Sequence, residues 1–127
     1  MVDIISKEEL ERAFDSRFPA ETKAKLADAR VAVAGLGGLG SNIAVMLARS
    51  GVGHLFLVDF DVVDVTNLNR QAYSASHIGK PKTEAIKDII AEINPYLNVE
   101  VCCKTVDESN AEELFGSYDI VCEAFDR

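Results

Sequence analysis

Three glycines, Gly35, Gly37 and Gly40, form a G-x-G-x-x-G motif between an apolar run and a helical pattern. In this setting the first glycine permits a tight turn, the second lets the backbone approach a phosphate, and the third lets helix and strand pack closely. Asp59 follows the next apolar run, where its carboxylate can accept hydrogen bonds from ribose hydroxyls. The pattern predicts a nucleotide site, but it does not choose between NAD and ATP.

Residues 66–82, TNLNRQAYSASHIGKPK, contain no acidic residue although the chain has 21, and they include the cations Arg70 and Lys82. The segment leaves the carboxyl end of a predicted parallel strand, where open α/β sheets bind ligands, and connections of this length are usually functional. Lys82 lies four residues before Ile86 and therefore heads the inward face of the next helix. Arg70 and Lys82 could neutralise a triphosphate attacked at its α-phosphorus, because charge accumulates there and on the departing pyrophosphate.

Two further residues complete this predicted site. Asn67 can donate a neutral hydrogen bond beside the cations. Asp126, at the carboxyl end of the fourth apolar run, can hold Mg²⁺, which prefers one or two carboxylates plus phosphate oxygens. A structural interpretation is also open, although the catalytic one is favoured: Arg70 would form a surface ion pair with Asp61 or Asp64, and Asp126 would cap a helix.

The elements that would position these residues alternate along the chain. The apolar runs RVAVAG, HLFLVD, NVEVCC and DIVCEAF predict four strands, and SNIAVMLARSG and KTEAIKDIIAEIN predict helices between them. Continuous apolar strands indicate a parallel sheet covered on both faces. We therefore predict a Rossmann-like, doubly wound, mostly parallel α/β domain over residues 30–127. A helical segment with two helices would precede it over residues 1–29, and the C-terminus would be incomplete, because no helix follows the fourth strand to cover the sheet edge.

Helix starts have their own signals. Ser6 with Glu9, and Ser109 with Glu112, each fit a capping box. Isoleucines spaced at i, i+3, i+4 and i+7 predict the buried stripe of the helix that begins near Lys82; they are Ile86, Ile89, Ile90 and Ile93.

The composition is that of one ordinary globular domain, with 48% hydrophobic and 27% charged residues. The 13 basic and 21 acidic residues give a net charge of -8, which argues against broad binding to nucleic acid or to anionic membranes. No apolar run is long enough to cross a membrane and the N-terminus lacks a signal pattern, so we expect a cytoplasmic protein. The three cysteines, Cys102, Cys103 and Cys122, lack metal-ligand spacing, and we expect buried, reduced thiols and no zinc site.

Five segments, in order, resemble the ThiF/MoeB/HesA branch of the ubiquitin-activating-enzyme-like superfamily: GLGGLGSN, GVGHLFLVDFDVVDVTNLNRQ, IGKPKTEA, INP and EAFD. The likeness covers about residues 30–127 and is closest to the short bacterial ThiF proteins, which adenylate the sulfur carrier ThiS. It implies a nucleotidyltransferase that uses ATP and Mg²⁺ to convert the C-terminal Gly-Gly carboxylate of a ThiS-like ubiquitin-fold carrier into an acyl-adenylate, releasing pyrophosphate, for thiamine thiazole biosynthesis.

The resemblance also implies roles for individual residues. Those in contact with the nucleotide would be Gly35, Gly37, Gly38, Gly40, Asp59, Asp61, Asn67, Arg70 and Lys82. Among them Asp59 would hold the ribose and Lys82 the attacked phosphate, while Asp126 would hold the metal. Family members are homodimers in which an N-terminal arginine reaches the partner's active site, which here would be Arg17 or Arg12.

Three alternatives remain open. A tRNA threonylcarbamoyladenosine dehydratase on the same scaffold has a similar loop and GKPK segment, although it should carry a basic RNA-binding region and this chain is acidic. A NAD-dependent oxidoreductase would make no demand on Arg70 or Lys82. A non-catalytic nucleotide-binding or carrier-docking module becomes the better interpretation if 127 residues is the natural length.

Overall fold

The computed structural model describes residues 5–15 and 18–125. Helices and strands alternate after two N-terminal helices. The helices are α1 (Lys7–Asp15), α2 (Ala20–Asp28), α3 (Gly38–Arg49), α4 (Lys82–Ile93) and α5 (Ala111–Phe115). The strands are β1 (Arg30–Ala34), β2 (His54–Val58), β3 (Asn98–Cys102) and β4 (Ile120–Glu123). Two short 3-10 turns, Val65–Asn67 and Ala75–His77, interrupt the connection between β2 and α4.

Within the described residues the four strands form one parallel sheet in the order β3-β2-β1-β4. The reversal of strand order between β3 and β4 is the topology of a doubly wound sheet, and all four carboxyl ends meet at one edge. The predicted Rossmann-like α/β class is confirmed.

The main core lies between the sheet and the pair α3 and α4. Leu55 and Leu57 of β2 contribute to it, together with Ile86 and Ile90 of α4, and these four side chains are at most 2% exposed. Because side chains alternate along a strand, Phe56 faces the opposite side of the sheet. There its ring lies 6.0 Å from that of Phe115, so α5 contacts the second face. The isoleucine stripe predicted for α4 is confirmed at its centre.

The N-terminal helices pack at the amino end of the sheet. Ser6 Oγ accepts a hydrogen bond from the Glu9 amide at 3.2 Å, as the predicted capping box requires, and α1 begins at the next residue. α2 packs Leu26 against the core and accepts a bond from the Gly53 amide on the Leu26 carbonyl at 3.0 Å. The division of the chain at residues 29 and 30 stays a prediction.

The capping box predicted for Ser109 and Glu112 is wrong. The N-cap residue is Asn110, and Asp107 closes the turn before the helix: its carboxylate accepts a bond from the Ser109 amide at 2.8 Å, and its own amide donates to Asn110 Oδ1 at 3.0 Å. The hydrogen bonds from Ser109 lower the pKa of Asp107 below its ordinary value. The helix therefore begins two residues after Ser109, at Ala111.

The prediction of buried cysteines is also wrong. Cys103 is exposed, and Cys102 and Cys122 are half-buried free thiols. Cys103 lies just beyond the end of β3, where the alternation of buried positions no longer applies. Among the helices of the described chain, none has the length and apolar character needed to span a membrane.

Candidate nucleotide site

A cavity of about 510 Å³ opens at the carboxyl edge of the sheet. Its volume is typical of sites for small organic ligands. The glycine turn, the end of β2, the start of α4 and the segments after β3 and β4 supply its walls. The lining residues are Gly35, Gly37, Asp59, Phe60, Asp61, Lys82, Thr105, Val106, Ala124 and Phe125.

The glycines of the motif differ in what they make possible. Gly35 has a φ of +100°, and a Cβ there would lie 2.8 Å from the backbone carbon of Ala124. A Cβ on Gly40 would lie 1.7 Å from the Gly35 carbonyl oxygen, so α3 packs on the turn only without a side chain at that position. Gly37, in contrast, has no atom closer than 3.8 Å to its Cβ position. Packing thus explains Gly35 and Gly40, whereas Gly37 leaves open space beside the N-terminus of α3.

The start of α3 carries a positive electrostatic potential into this space. Gly37 is the N-terminal cap residue, and the first turn contains no acidic side chain to oppose the helix dipole. The first amides of a helix have no intrahelical acceptors, so this end of α3 is suited to an anion.

Asp59 lies in the wall of the cavity and is 5% exposed. Its Oδ2 accepts a hydrogen bond from the Leu36 amide at 2.7 Å, and its Oδ1 accepts one from the Asp61 amide at 2.8 Å. The carboxylate therefore fixes the glycine turn against the end of β2. Each oxygen retains a lone pair that could accept a ligand hydroxyl, and the ribose-binding role stays a prediction.

Lys82 is the first residue of α4 and is only 5% exposed. Its backbone amide donates to the Asp61 carbonyl oxygen at 2.9 Å, which holds the helix start in the cavity wall. Its ammonium group makes no hydrogen bond and no ion pair with any residue that the structure describes. A cation in a cavity wall that has no partner among the described residues can bind an anion through charge-assisted hydrogen bonds.

Arg70 lies beside the glycine turn but outside the cavity lining. Its Cγ, Cδ and Nε atoms are 3.6 to 3.7 Å from the Cβ position of Gly38. Its guanidinium group donates to the Thr66 carbonyl oxygen at 3.2 Å and to Asn69 Oδ1 at 3.1 Å. Within the described part of the chain it forms no ion pair with Asp61 or Asp64, so the alternative interpretation of Arg70 is wrong.

Asn67 has a local structural function. Its Oδ1 accepts a hydrogen bond from the Asp64 amide at 2.7 Å, and Asp64 Oδ2 accepts one from the Thr66 amide at 2.9 Å. These residues close the first 3-10 turn, and the bonds from Thr66 lower the pKa of Asp64. The side-chain oxygen of Asn67 is therefore directed into this turn. The contact of Asn67 with a phosphate stays a prediction.

Two buried side chains near the glycine turn were not predicted from the sequence. Tyr73 donates its hydroxyl to the Leu36 carbonyl oxygen at 2.7 Å, and burial, with a smaller effect of the Asp59 charge, raises the pKa of Tyr73. Gln71 is 7% exposed, and its Nε2 lies 3.8 Å from the Cβ position of Gly37. Its Oε1 is buried without a hydrogen-bond partner among the described residues. An aromatic and an amide within a long polar loop were the available signals.

The remaining predicted residues are not part of this geometry. Asp126 and Arg17 lie outside the described residues, so the metal site and the first candidate for the partner arginine stay predictions. Arg12 is exposed on α1 and does not line the cavity. No group of three or more His, Cys, Asp or Glu side chains within the described chain could hold a metal ion.

The parallel sheet, the glycine turn and the buried lysine at its edge define a nucleotide-binding protein of the Rossmann type. The chain belongs to the ThiF family, whose model matches residues 10–127.

Two curated relatives illustrate the range of the family. The chain is 40% identical over 110 residues to molybdopterin-synthase adenylyltransferase from Salmonella typhimurium, covering 86% of this chain and 44% of that protein. It is 45% identical over 103 residues to tRNA threonylcarbamoyladenosine dehydratase from Bacillus subtilis, covering 80% of this chain and 41% of that protein. The chain thus spans less than half the length of these relatives.

Solved structures show the same relationship. The E. coli tRNA threonylcarbamoyladenosine dehydratase TcdA in complex with ATP matches with a TM-score of 0.90 and 32% identity, covering 98% of this chain and 53% of that one. The E. coli protein MccB matches with a TM-score of 0.78 and 34% identity over 83% of this chain and 30% of that one.

Proposed function

We propose that this chain is the ATP-binding part of an adenylyltransferase that activates the C-terminal carboxylate of a ubiquitin-fold sulfur carrier. The observation that carries the proposal is Lys82, a residue only 5% exposed that lines one cavity with Gly37 and Asp59 and whose ammonium group has no partner among the described residues. Membership in the ThiF family and the adenylyltransferase names of its relatives support the reaction type.

The reaction needs charge stabilisation more than acid-base catalysis. A C-terminal carboxylate has a pKa of roughly 3.5 and is ionised at neutral pH, so no general base is required. Its oxygen would form a bond to the α-phosphorus of ATP, and the bond from that phosphorus to the bridging oxygen would break, releasing pyrophosphate. Lys82 would neutralise the attacked phosphate, and the amides at Gly37 would bind phosphate oxygens.

The other predicted contacts belong to the same proposal. Asp59 would hold the ribose, and Arg70 would turn from its own loop toward the departing pyrophosphate. Mg²⁺ would neutralise phosphate charge, with Asp126 as its proposed ligand. The carrier that fits the sequence resemblance is ThiS-like and ends in Gly-Gly, and the active form would be a homodimer that shares an N-terminal arginine, Arg17 or Arg12.

A second candidate is a tRNA threonylcarbamoyladenosine dehydratase. The TM-score of 0.90 over 98% of this chain favours it, as does the 45% identity to the Bacillus subtilis enzyme. The net charge of -8 favours the carrier instead, because a polyanionic tRNA would be repelled. The adenylyltransferase would need a protein carrier as its second substrate, whereas the dehydratase would need a tRNA.

The first test compares two lysines in ATP binding by isothermal titration calorimetry. Lys82→Met removes the positive charge from the cavity wall, and we expect it to weaken ATP binding by at least about tenfold, or about 1.4 kcal/mol. The matched control is Lys80→Met, since Lys80 is exposed and pairs with Asp88 at 3.4 Å. This control should bind ATP within about twofold of the wild type. Equal affinity of Lys82→Met and wild type would refute the nucleotide site.

The second test separates the two candidates. The intact protein should exchange pyrophosphate into ATP only when a carrier ending in Gly-Gly is present, and Lys82→Met or Arg70→Ala should reduce the rate by orders of magnitude. Exchange that depends on tRNA and is indifferent to the carrier would favour the dehydratase.

A further inference from the structure

The loop that carries Arg70 is fastened to the first turns of α3 by side chains. Tyr73 donates to the Leu36 carbonyl oxygen at 2.7 Å, and the Ala72 amide donates to Ser41 Oγ at 3.1 Å. The third connection comes from Asn42, whose Nδ2 donates to the Arg70 carbonyl oxygen at 2.9 Å and to the Gly38 carbonyl oxygen at 2.6 Å. Three side-chain hydrogen bonds thus connect residues 70–73 to the glycine turn and the first turns of α3.

Asn42 is the connection that acts directly on Arg70. The Arg70 amide donates to the Asn67 carbonyl oxygen at 3.3 Å, within the loop itself. Its carbonyl, in contrast, is held from α3 by Asn42, and its side-chain stem lies against Gly38. The side-chain amide of Asn42 thus connects the backbone of Arg70 to that of Gly38, and the Arg70 side chain packs against the same glycine.

This arrangement matters because the guanidinium reaches the site through several rotatable bonds. In the present structure its Nη1 atom donates to the Thr66 carbonyl oxygen and to Asn69 Oδ1, so Nε and Nη2 could donate to a phosphate. Fixing the backbone at the base of the side chain limits the positions that these donors can reach. A displacement of about 1 Å in such a group can reduce activity about a hundredfold.

We propose that Asn42 is a positioning residue that holds the backbone of Arg70 against Gly38, so that the guanidinium reaches the phosphates over the first turn of α3. Asn42 does not line the cavity, and its side chain donates to the Gly38 and Arg70 carbonyl oxygens, so we expect it to act through Arg70. The inference rests on the proposed function, since it presumes that Arg70 binds phosphate.

The substitution Asn42→Ala should leave the fold intact. Asn42 is half-buried, alanine favours helices, and the Arg70 carbonyl that loses its partner is close to solvent. Thermal unfolding should therefore change little. The control is Ser50→Ala at the other end of α3, which also removes a side-chain bond to a carbonyl, that of Met46 at 2.8 Å.

The test is a double-mutant cycle on ATP affinity with Asn42→Ala and Arg70→Ala. Asn42→Ala alone should weaken ATP binding by about fivefold, or about 1 kcal/mol, and Ser50→Ala should have no effect. In the Arg70→Ala background the Asn42 substitution should have no further effect, because it acts through the arginine. Additive losses, or an unchanged affinity of Asn42→Ala, would overturn the proposal.

Hydrogen exchange in the absence of nucleotide gives an independent measurement. Amides of residues 70–73 should exchange faster in Asn42→Ala than in the wild type, while those of β1 should not change. Unchanged exchange in the loop would contradict the positioning role even if Asn42→Ala weakens ATP binding. If neither the wild type nor Arg70→Ala binds ATP, the proposed function fails instead, and faster exchange would still show that Asn42 holds the loop.

Discussion

The glycine turn offers a comparison between two substitutions of the same kind, Gly40→Ala and Gly37→Ala. At Gly40 the new Cβ would lie 1.7 Å from the Gly35 carbonyl oxygen. Non-bonded atoms normally lie about 3.5 Å apart, so the start of α3 would have to move away from the Gly35 carbonyl oxygen by roughly 1.5 to 2 Å. That movement would lift Ala44 and Ala48, both 0% exposed, from the sheet. We expect a loss above about 4 kcal/mol, a large part of the 5 to 15 kcal/mol typical of a domain.

Gly37→Ala should have the opposite profile. The new Cβ would meet nothing closer than Gln71 Nε2 at 3.8 Å. Alanine is a poorer cap residue than glycine, which lowers the stability, but it also restricts the unfolded chain, which raises it. These effects nearly cancel, so the free energy of unfolding should change by no more than about 1 kcal/mol. The methyl group would nevertheless occupy space where a phosphate must approach the start of α3, and ATP affinity should fall at least about tenfold.

Urea unfolding followed by circular dichroism measures the first quantity, and titration calorimetry with ATP measures the second. We expect Gly40→Ala to lose stability. Gly37→Ala should keep its stability and lose affinity for ATP. If Gly37→Ala bound ATP as tightly as the wild type, the open space beside α3 would not be the phosphate site. If Gly40→Ala were as stable as the wild type, the packing explanation of the motif would be wrong.

Two further predictions concern the scaffold. Tyr73→Phe leaves the Leu36 carbonyl oxygen without its 2.7 Å bond, so urea unfolding at pH 7 should show a loss of about 1 to 3 kcal/mol. Because the folded state raises the pKa of Tyr73 above its ordinary 10.0, its contribution is complete below about pH 10 and is lost as the pH rises further. The difference between variant and wild type should therefore shrink at pH 11, and a constant difference would contradict the raised pKa. Ile90→Ala creates a cavity at a fully buried position and should cost about 2 to 5 kcal/mol, whereas the partly buried Ile89→Ala should cost distinctly less, and equal losses would contradict the assigned core.

The sequence predicted what depends on local pattern. The glycine motif, Asp59 at the end of β2 and the inward direction of Lys82 follow from strand and helix periodicity, and the parallel sheet brings them to one edge. All three were predictable because each is set by its own element.

The sequence did not predict interactions between distant segments or between competing polar groups. The bond from Asn42 to the Arg70 carbonyl joins positions 28 residues apart, and no local pattern signals it. Ser109 was predicted to cap α5, but its amide and hydroxyl donate to the Asp107 carboxylate, and the cap residue is Asn110. Asn67 was assigned to a ligand, although its side chain finds a backbone partner three residues away. Short polar side chains in loops generally have such local alternatives.

The close approach of α2 to the start of β2 has a consequence for how the chain can be altered. A Cβ on Gly53 would lie 1.8 Å from the Ala27 carbonyl oxygen, so the end of α2 packs directly against the backbone of Gly53. Five strand residues later the same strand delivers Asp59 to the nucleotide cavity. Any side chain introduced at residue 53 would therefore push α2 and β2 apart at one end of the strand and could displace Asp59 at the other.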